Sequence, residues 1–211
     1  MNLFSRRFVI SFLTMLLAFG ILFVSVLRTA SVHYSFNTKV LSSFPVSSLT
    51  SDIDYGLVFP GQVLPGDWLW PLKALRDRLW ILTTVDLTKK MELYLLLADK
   101  RLGASVVLFE RGKYELGVTT LNKAEGYLKM ASETEMIART RGLDTKHFVY
   151  KLILASFKHR ELIRAFQTTA PDDVRNSLVV IENYPRSLYE EKNSLLKNEN
   201  NSGLINPYEG Q

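Results

Sequence analysis

Phe8 to Leu27, FVISFLTMLLAFGILFVSVL, contains no charged residue. A helix of about 20 apolar residues, rising about 1.5 Å per residue, crosses a hydrocarbon layer about 30 Å thick. This run constrains the chain more than any other feature, because water is a poor solvent for it. Arg6 and Arg7 precede it and Arg28 follows. The positive-inside rule then places residues 1–7 in the cytoplasm as a short N-terminus. Residues 8–28 become a single-pass signal anchor in the cell membrane, with the remaining chain extracytoplasmic. The alternative is a cleaved signal peptide. Such peptides carry an apolar region of about 7–15 residues and small residues at the cut. The run here is longer, and the passable cut, after Thr29-Ala30-Ser31, lies beyond Arg28.

Residues 29–59 lack helical periodicity. Serines are frequent, Pro45 interrupts the segment and Pro60 follows it. Val32, Tyr34, Phe36, Val40, Leu41 and Phe44 make it more than a flexible tether. The segment is expected to be a juxtamembrane spacer whose end, Tyr55 to Phe59, docks on the domain that follows.

That domain is expected over residues 60–197. Pro65-Gly66 suits the central positions of a type II turn, with Gly66 at positive φ and Asp67 closing it. Pro71 fits the first helical position. Trp70, before a proline, is expected to be extended and to turn its ring toward Leu95 or Leu102. Leu69, Leu72, Leu75, Leu79 and Leu82 form an apolar stripe at helical spacings of three and four. Lys73 and Asp77 form an i,i+4 pair.

Asp86 caps a second helix, Leu87 to about Arg111, whose broad apolar face marks it as central. Gly112 ends it. A third helix runs from Lys113 to about Arg141, its polar end SETEMIARTR expected to project or fray, and Gly142 stops it. Asp144 or Thr145 caps a fourth, ending near Thr168. Pro171 opens a fifth, with Asp172 and Asp173 suiting its dipole, and Pro185 is expected to break it. A weaker segment reaches Lys197, and residues 198–211 read as a disordered tail. The fold class is therefore all-α: a transmembrane helix plus an antiparallel bundle of four to six helices.

Composition limits the chemistry. The chain has no cysteine, which removes disulfides, thiolate metal sites and cysteine catalysis. The net charge is +5, but the charges of both signs are mixed along the helices. No cluster of Lys and Arg marks a nucleic-acid surface. No phosphate loop, dinucleotide fingerprint, nucleophile elbow or zinc-protease motif occurs. His147 and His159 lie about 120° apart on one helix and cannot share a metal from it. His159 reads as a hydrogen-bonded core histidine. The sequence points to no enzyme and no cofactor.

Candidate interaction or structural residues are Pro65, Gly66, Asp67, Trp68, Trp70, Pro71, Lys73 and His159. Trp68, Trp70 and Trp80 are either core anchors or an exposed patch, and Trp68 is expected to be more exposed than Trp70.

Several of these motifs occur together in one family. Pro65-Gly66, Trp70-Pro71-Leu72-Lys73, Ala98-Asp99-Lys100-Arg101-Leu102, Leu121-Asn122-Lys123-Ala124-Glu125 and Lys158-His159 follow in order. In this the chain resembles the bacterial Domain of Unknown Function 5667 family over about Pro60 to Ile181. The resemblance implies a helical domain just outside a membrane anchor and brings no activity with it. Gly103 departs from the expected alanine. The functional expectation is a membrane-anchored interaction or scaffold module of the cell envelope, whose partner is another envelope protein or a peptide. Two alternatives stand beside it. Gly112, Tyr114, Gly117, Leu121 and Ala124 imitate a tetratricopeptide helix, although no second copy follows at a period of about 34 residues. An extracytoplasmic sensor acting through a membrane partner is the other.

Overall fold

The structure, a computed structural model, describes residues 10–21 and 55–200. Residues 10–21 are helical (α1), belong to a unit of their own, and expose their apolar side chains. Among the described residues no helix is long and apolar enough to cross a membrane. The ends of the expected span 8–28, most of the spacer 29–59 and residues 201–211 of the expected tail lie outside the described residues.

The second unit holds α2 (Trp70–Thr83), α3 (Leu87–Glu110), α4 (Tyr114–Thr140), α5 (Lys146–Thr169) and α6 (Asp172–Asn200). The described residues are all-helical, as the periodicity predicts, and residues 55–60 form no strand. Two buried apolar clusters establish how the long helices run. The first joins Leu102, Val106 and Phe109 at the end of α3 to Leu121 and Ala124 early in α4. Leu162, Ile163 and Phe166 late in α5, with Val174 and Leu178 early in α6, complete it. The second joins Met91, Leu95 and Ala98 to Leu128, Ala131 and Ala138, then to Phe148, Leu152 and Leu188. In each cluster the end of one helix meets the start of the next. The four helices α3–α6 therefore form an antiparallel bundle.

Local chemistry accounts for most helix ends. Asp86 accepts the Lys89 backbone N–H at 2.8 Å, the N-cap bond that satisfies an otherwise unpaired donor. Gly112 and Gly142, both at positive φ, end α3 and α4. Within the bundle, Phe109 stacks on Phe166 with ring centroids 4.1 Å apart. Gly117 allows this, since a Cβ there would lie 2.7 Å from the Phe109 ring. The unexpected Gly103 also has a packing cause: a Cβ would meet Pro60 Cδ at 3.3 Å.

Three expectations fail. Pro185 does not break the last helix, which runs unbroken from Asp172 to Asn200. An internal proline removes a hydrogen bond and costs about 3 kcal/mol. Burial of Leu178, Leu188, Tyr189 and Lys192 on both sides of it offsets that cost. The helix also continues past Lys197, so the first residues of the expected tail are helical. The polar end of α4 does not fray. Ser132, Thr134 and Glu135 are buried there, because α6 supplies a partner for Glu135. Finally, α3 and α4 hold 24 and 27 residues, so the pair cannot be a repeat unit of about 34 residues.

Candidate functional site

The opening turn forms as its residues dictate. Asp67 N–H donates to Leu64 O at 3.1 Å across Pro65 and Gly66, and Gly66 has φ of 94°. The Asp67 carboxylate accepts the Leu64 N–H at 2.6 Å. A second turn, Trp70 N–H to Asp67 O at 3.0 Å, leads into α2. That helix begins at Trp70, with Leu69 already in the right-handed region, so Trp70 is the first helical residue and not an extended one. Pro71 is exposed in the first turn, where its missing N–H costs nothing.

The face that α2 buries is not the leucine stripe. Leu72, Leu75 and Leu82 are exposed. The inward side carries Trp70, Lys73, Asp77, Trp80 and Ile81. Asp77 is buried and accepts from Arg101 Nη2 of α3 at 2.8 Å, with Arg76 at 2.7 Å on its other oxygen. Arg101 lies 4.3 Å from the centre of the Trp70 ring, a cation–π contact. Trp70 is thus half-buried over Arg101, not over Leu95 or Leu102. Lys73 does not pair with Asp77. Its Nζ donates to Pro60 O at 2.6 Å and Val63 O at 2.7 Å, pinning the chain before the turn. Burial, with Arg101 adding repulsion, lowers its pKa to about 8. Trp80 and Ile81 pack on Leu93, Leu96 and Leu97. The partners of this face lie on α3, with Arg101, Leu93, Leu96 and Leu97, and in the segment before the turn, with Pro60 and Val63. No helical period within α2 could reveal them.

Trp68, as expected, is the more exposed tryptophan, at 86%. The tryptophan cluster is therefore split: Trp68 is a surface residue, and Trp70 and Trp80 are partly buried.

His159 belongs to a separate constellation inside the bundle. Its Nδ1 lies 2.6 Å from Glu125 Oε1 of α4, and its Nε2 lies 3.6 Å from Asp99 Oδ1 of α3. The Tyr55 hydroxyl donates to Asp99 Oδ2 at 2.8 Å, so the docking expected of Tyr55 to Phe59 is present. Burial disfavours a charged imidazole, but Glu125 and Asp99 together raise the His159 pKa to about 9. Burial also raises Asp99, against the opposing pull of His159 and Tyr55. The four side chains form a polar layer between the two apolar clusters. His159 is 0% exposed and Asp99 1%, so the layer is closed to solvent. A second buried layer lies nearer the α4–α5 turn. There Glu135 accepts from Lys192 at 2.8 Å and from the Thr145 hydroxyl at 2.7 Å.

Sequence reasoning identified His159 as a hydrogen-bonded core residue but did not pair it. The available signal was an acid on an apolar stripe: Asp99 is four residues after Leu95, and Glu125 four after Leu121. Asp99, Arg101, Glu125 and His159 all fall inside the quoted motifs. These motifs meet in the core and at the α2–α3 contact, so they record packing partners.

A family model described as "Domain of unknown function (DUF5667)" matches residues 62–178. The chain belongs to that family. The match runs from the opening turn through α2, α3, α4 and α5 into α6, and so covers the α2 contact and three members of the buried layer, Asp99, Glu125 and His159, with Tyr55 before it. No curated protein and no solved structure gives a significant match.

A cleft of about 380 Å³ lies between α2, α3 and α4. Trp70, Arg78, Arg101, Lys123, Tyr127 and Met130 line it. Among the described residues no group of three or more His, Asp or Glu could hold a metal ion.

Proposed function

We propose that this member of the family is a membrane-anchored, extracytoplasmic interaction module of the cell envelope, acting by binding and not by turnover. The uncharged run Phe8 to Leu27, with arginines concentrated before it, supports the anchor and its orientation. The observation that carries the binding reading is the α2–α4 cleft. It combines two aromatic rings with Arg78 and Lys123, while the histidine and carboxylates that could serve catalysis are sealed in the core. Aromatic and arginine side chains dominate binding hot spots. The cleft suits a segment of an envelope protein or peptide that presents an apolar side chain beside an acid.

Arg78 and Lys123 are exposed, so reversing their charge should leave the fold intact. A photo-crosslinker replacing Met130 in the membrane-resident chain should give a discrete adduct with one partner. Arg78→Glu with Lys123→Glu should remove that adduct at unchanged Tm. If the adducts match those from a crosslinker at Thr168, on the far end of α5, the cleft is not the binding site.

A further inference from the structure

The outward face of α2 has no protein partner among the described residues, and its composition is specific. At about 100° per residue, Leu82, Leu75, Leu79 and Leu72 fall within an arc of about 80°. Arg78 and Arg76 stand about 40° beyond its two edges. Leu72, Leu75 and Leu82 are 66%, 52% and 75% exposed. Exposed apolar residues continue past both ends of the helix, with Trp68 before it and Val85 after it. The lone acid of α2, Asp77, is turned inward and held by Arg101.

We propose that this face of α2 lies on the surface of an anionic lipid bilayer, with its leucines entering the headgroup boundary and Arg76 and Arg78 meeting lipid phosphates. The inference rests on the membrane reading of the N-terminal run. A leucine face edged by cations is the composition of a helix lying in the membrane interface. Charge decides between lipid and a second copy of the chain. A symmetric pair joined through this face would bring Arg78 of both copies together, and Arg76 with only the Asp77 carboxylate, already shared with Arg101, to offset it. An anionic headgroup layer offsets them directly. Connectivity adds to this. Residues 28–69 join the uncharged run to α2, so insertion of that run tethers α2 to the same bilayer and raises its effective concentration there. Arg78 stands at the edge that the leucine face shares with the cleft, while Trp70, Lys123, Tyr127 and Met130 lie on the cleft side.

The absence of cysteine makes the test direct. The full chain, reconstituted in vesicles of zwitterionic and anionic lipid, takes an environment-sensitive fluorophore at Leu75→Cys, Leu82→Cys, Val180→Cys or Leu16→Cys. Val180 is exposed on α6 and serves as the control, and Leu16 reports the anchor. The expected result is quenching of the Leu75 and Leu82 labels by lipid-borne nitroxide, with the Val180 label quenched only by aqueous iodide. Omitting the anionic lipid should shift the docked-to-free ratio down roughly fivefold for each arginine engaged. Lipid quenching at Leu16 with only iodide quenching at Leu75 and Leu82 overturns the inference and leaves the anchor standing. Labels at Leu75 and Leu82 shielded from both quenchers also overturn it, because protein then covers the face. A Leu16 label open to iodide removes the membrane reading and this inference together.

Discussion

The bundle α3–α6 and the helix α2 place charge and grease in opposite ways. In the bundle, ionisable side chains go inward and meet opposite charge there: His159 between Glu125 and Asp99, Lys192 on Glu135. In α2, one buried ion pair and two tryptophans hold the helix, and its leucines face outward. Burying an ion pair often gains little over burying apolar residues of the same volume. Its components still demand each other, so such pairs fix register and orientation. The contrast teaches that buried charge here joins one helix to the next, while the leucines of α2 stay uncovered among the described residues.

The largest effect should come from splitting a buried pair. Glu135→Leu leaves the buried Lys192 with only the exposed Glu191 carboxylate, 2.9 Å away, and should cost up to about 3–5 kcal/mol, read by denaturant unfolding. Glu135→Leu combined with Lys192→Met should recover most of that loss. If the double variant is as unstable as the single one, the pair was not the cause.

Next comes the pH dependence of the histidine layer. The folded pKa of His159, about 9, lies above its usual 6.5. The stability it contributes is therefore fully present below pH 6.5 and is lost as pH rises through 9. The shift corresponds to about 3 kcal/mol. Lys73 acts in the opposite sense: its pKa is depressed to about 8, so stability rises with pH above that point. It is partly exposed, and the histidine effect should dominate. Unfolding of wild type and His159→Gln compared from pH 6 to pH 9.5 should converge as pH rises. A constant gap would mean that His159 is neutral in the fold.

Much of this organisation was legible in the sequence, and the boundary is physical. Asp86, Gly66, Gly112 and Gly142 were readable because caps and turns involve neighbours in the chain. The stripes of α3, α4 and α5 were readable because each faces one continuous core. Four readings failed for one shared reason. The aim of the Trp70 ring, the pairing of Lys73, the order of the α4 end and the continuity through Pro185 all depend on partners on other elements. Arg101 takes the Trp70 ring, and Lys192 holds Glu135. The leucine stripe of α2 was a true periodicity, but a period does not say which face of a helix is buried.

The turn that aims α2 should be less costly to disturb than the core. Gly66→Val places a β-branched residue at φ of 94°, with Cβ 3.0 Å from Leu116 Cδ2. A loss of about 1–3 kcal/mol is expected from thermal unfolding. No change in Tm would mean that the turn adopts another geometry. The smallest effect should come from the outward face. Leu75→Glu should change folding stability by no more than about 0.5 kcal/mol, since the side chain is already half exposed. A loss as large as that of Glu135→Leu would place Leu75 in a protein core and reverse the comparison.

The central claim, that the ionisable chemistry of the bundle is sealed and structural, is tested most directly by histidine carbethoxylation of the intact folded chain at pH 7. The reagent attacks neutral, solvent-reachable imidazole. His147 is exposed at the start of α5, whereas His159 is fully buried and, with a pKa of about 9, protonated. The account predicts modification of His147 and none of His159 until the chain is unfolded. Modification of both at similar rates in the folded chain would contradict it, and the Asp99–His159–Glu125 layer would then be an open site.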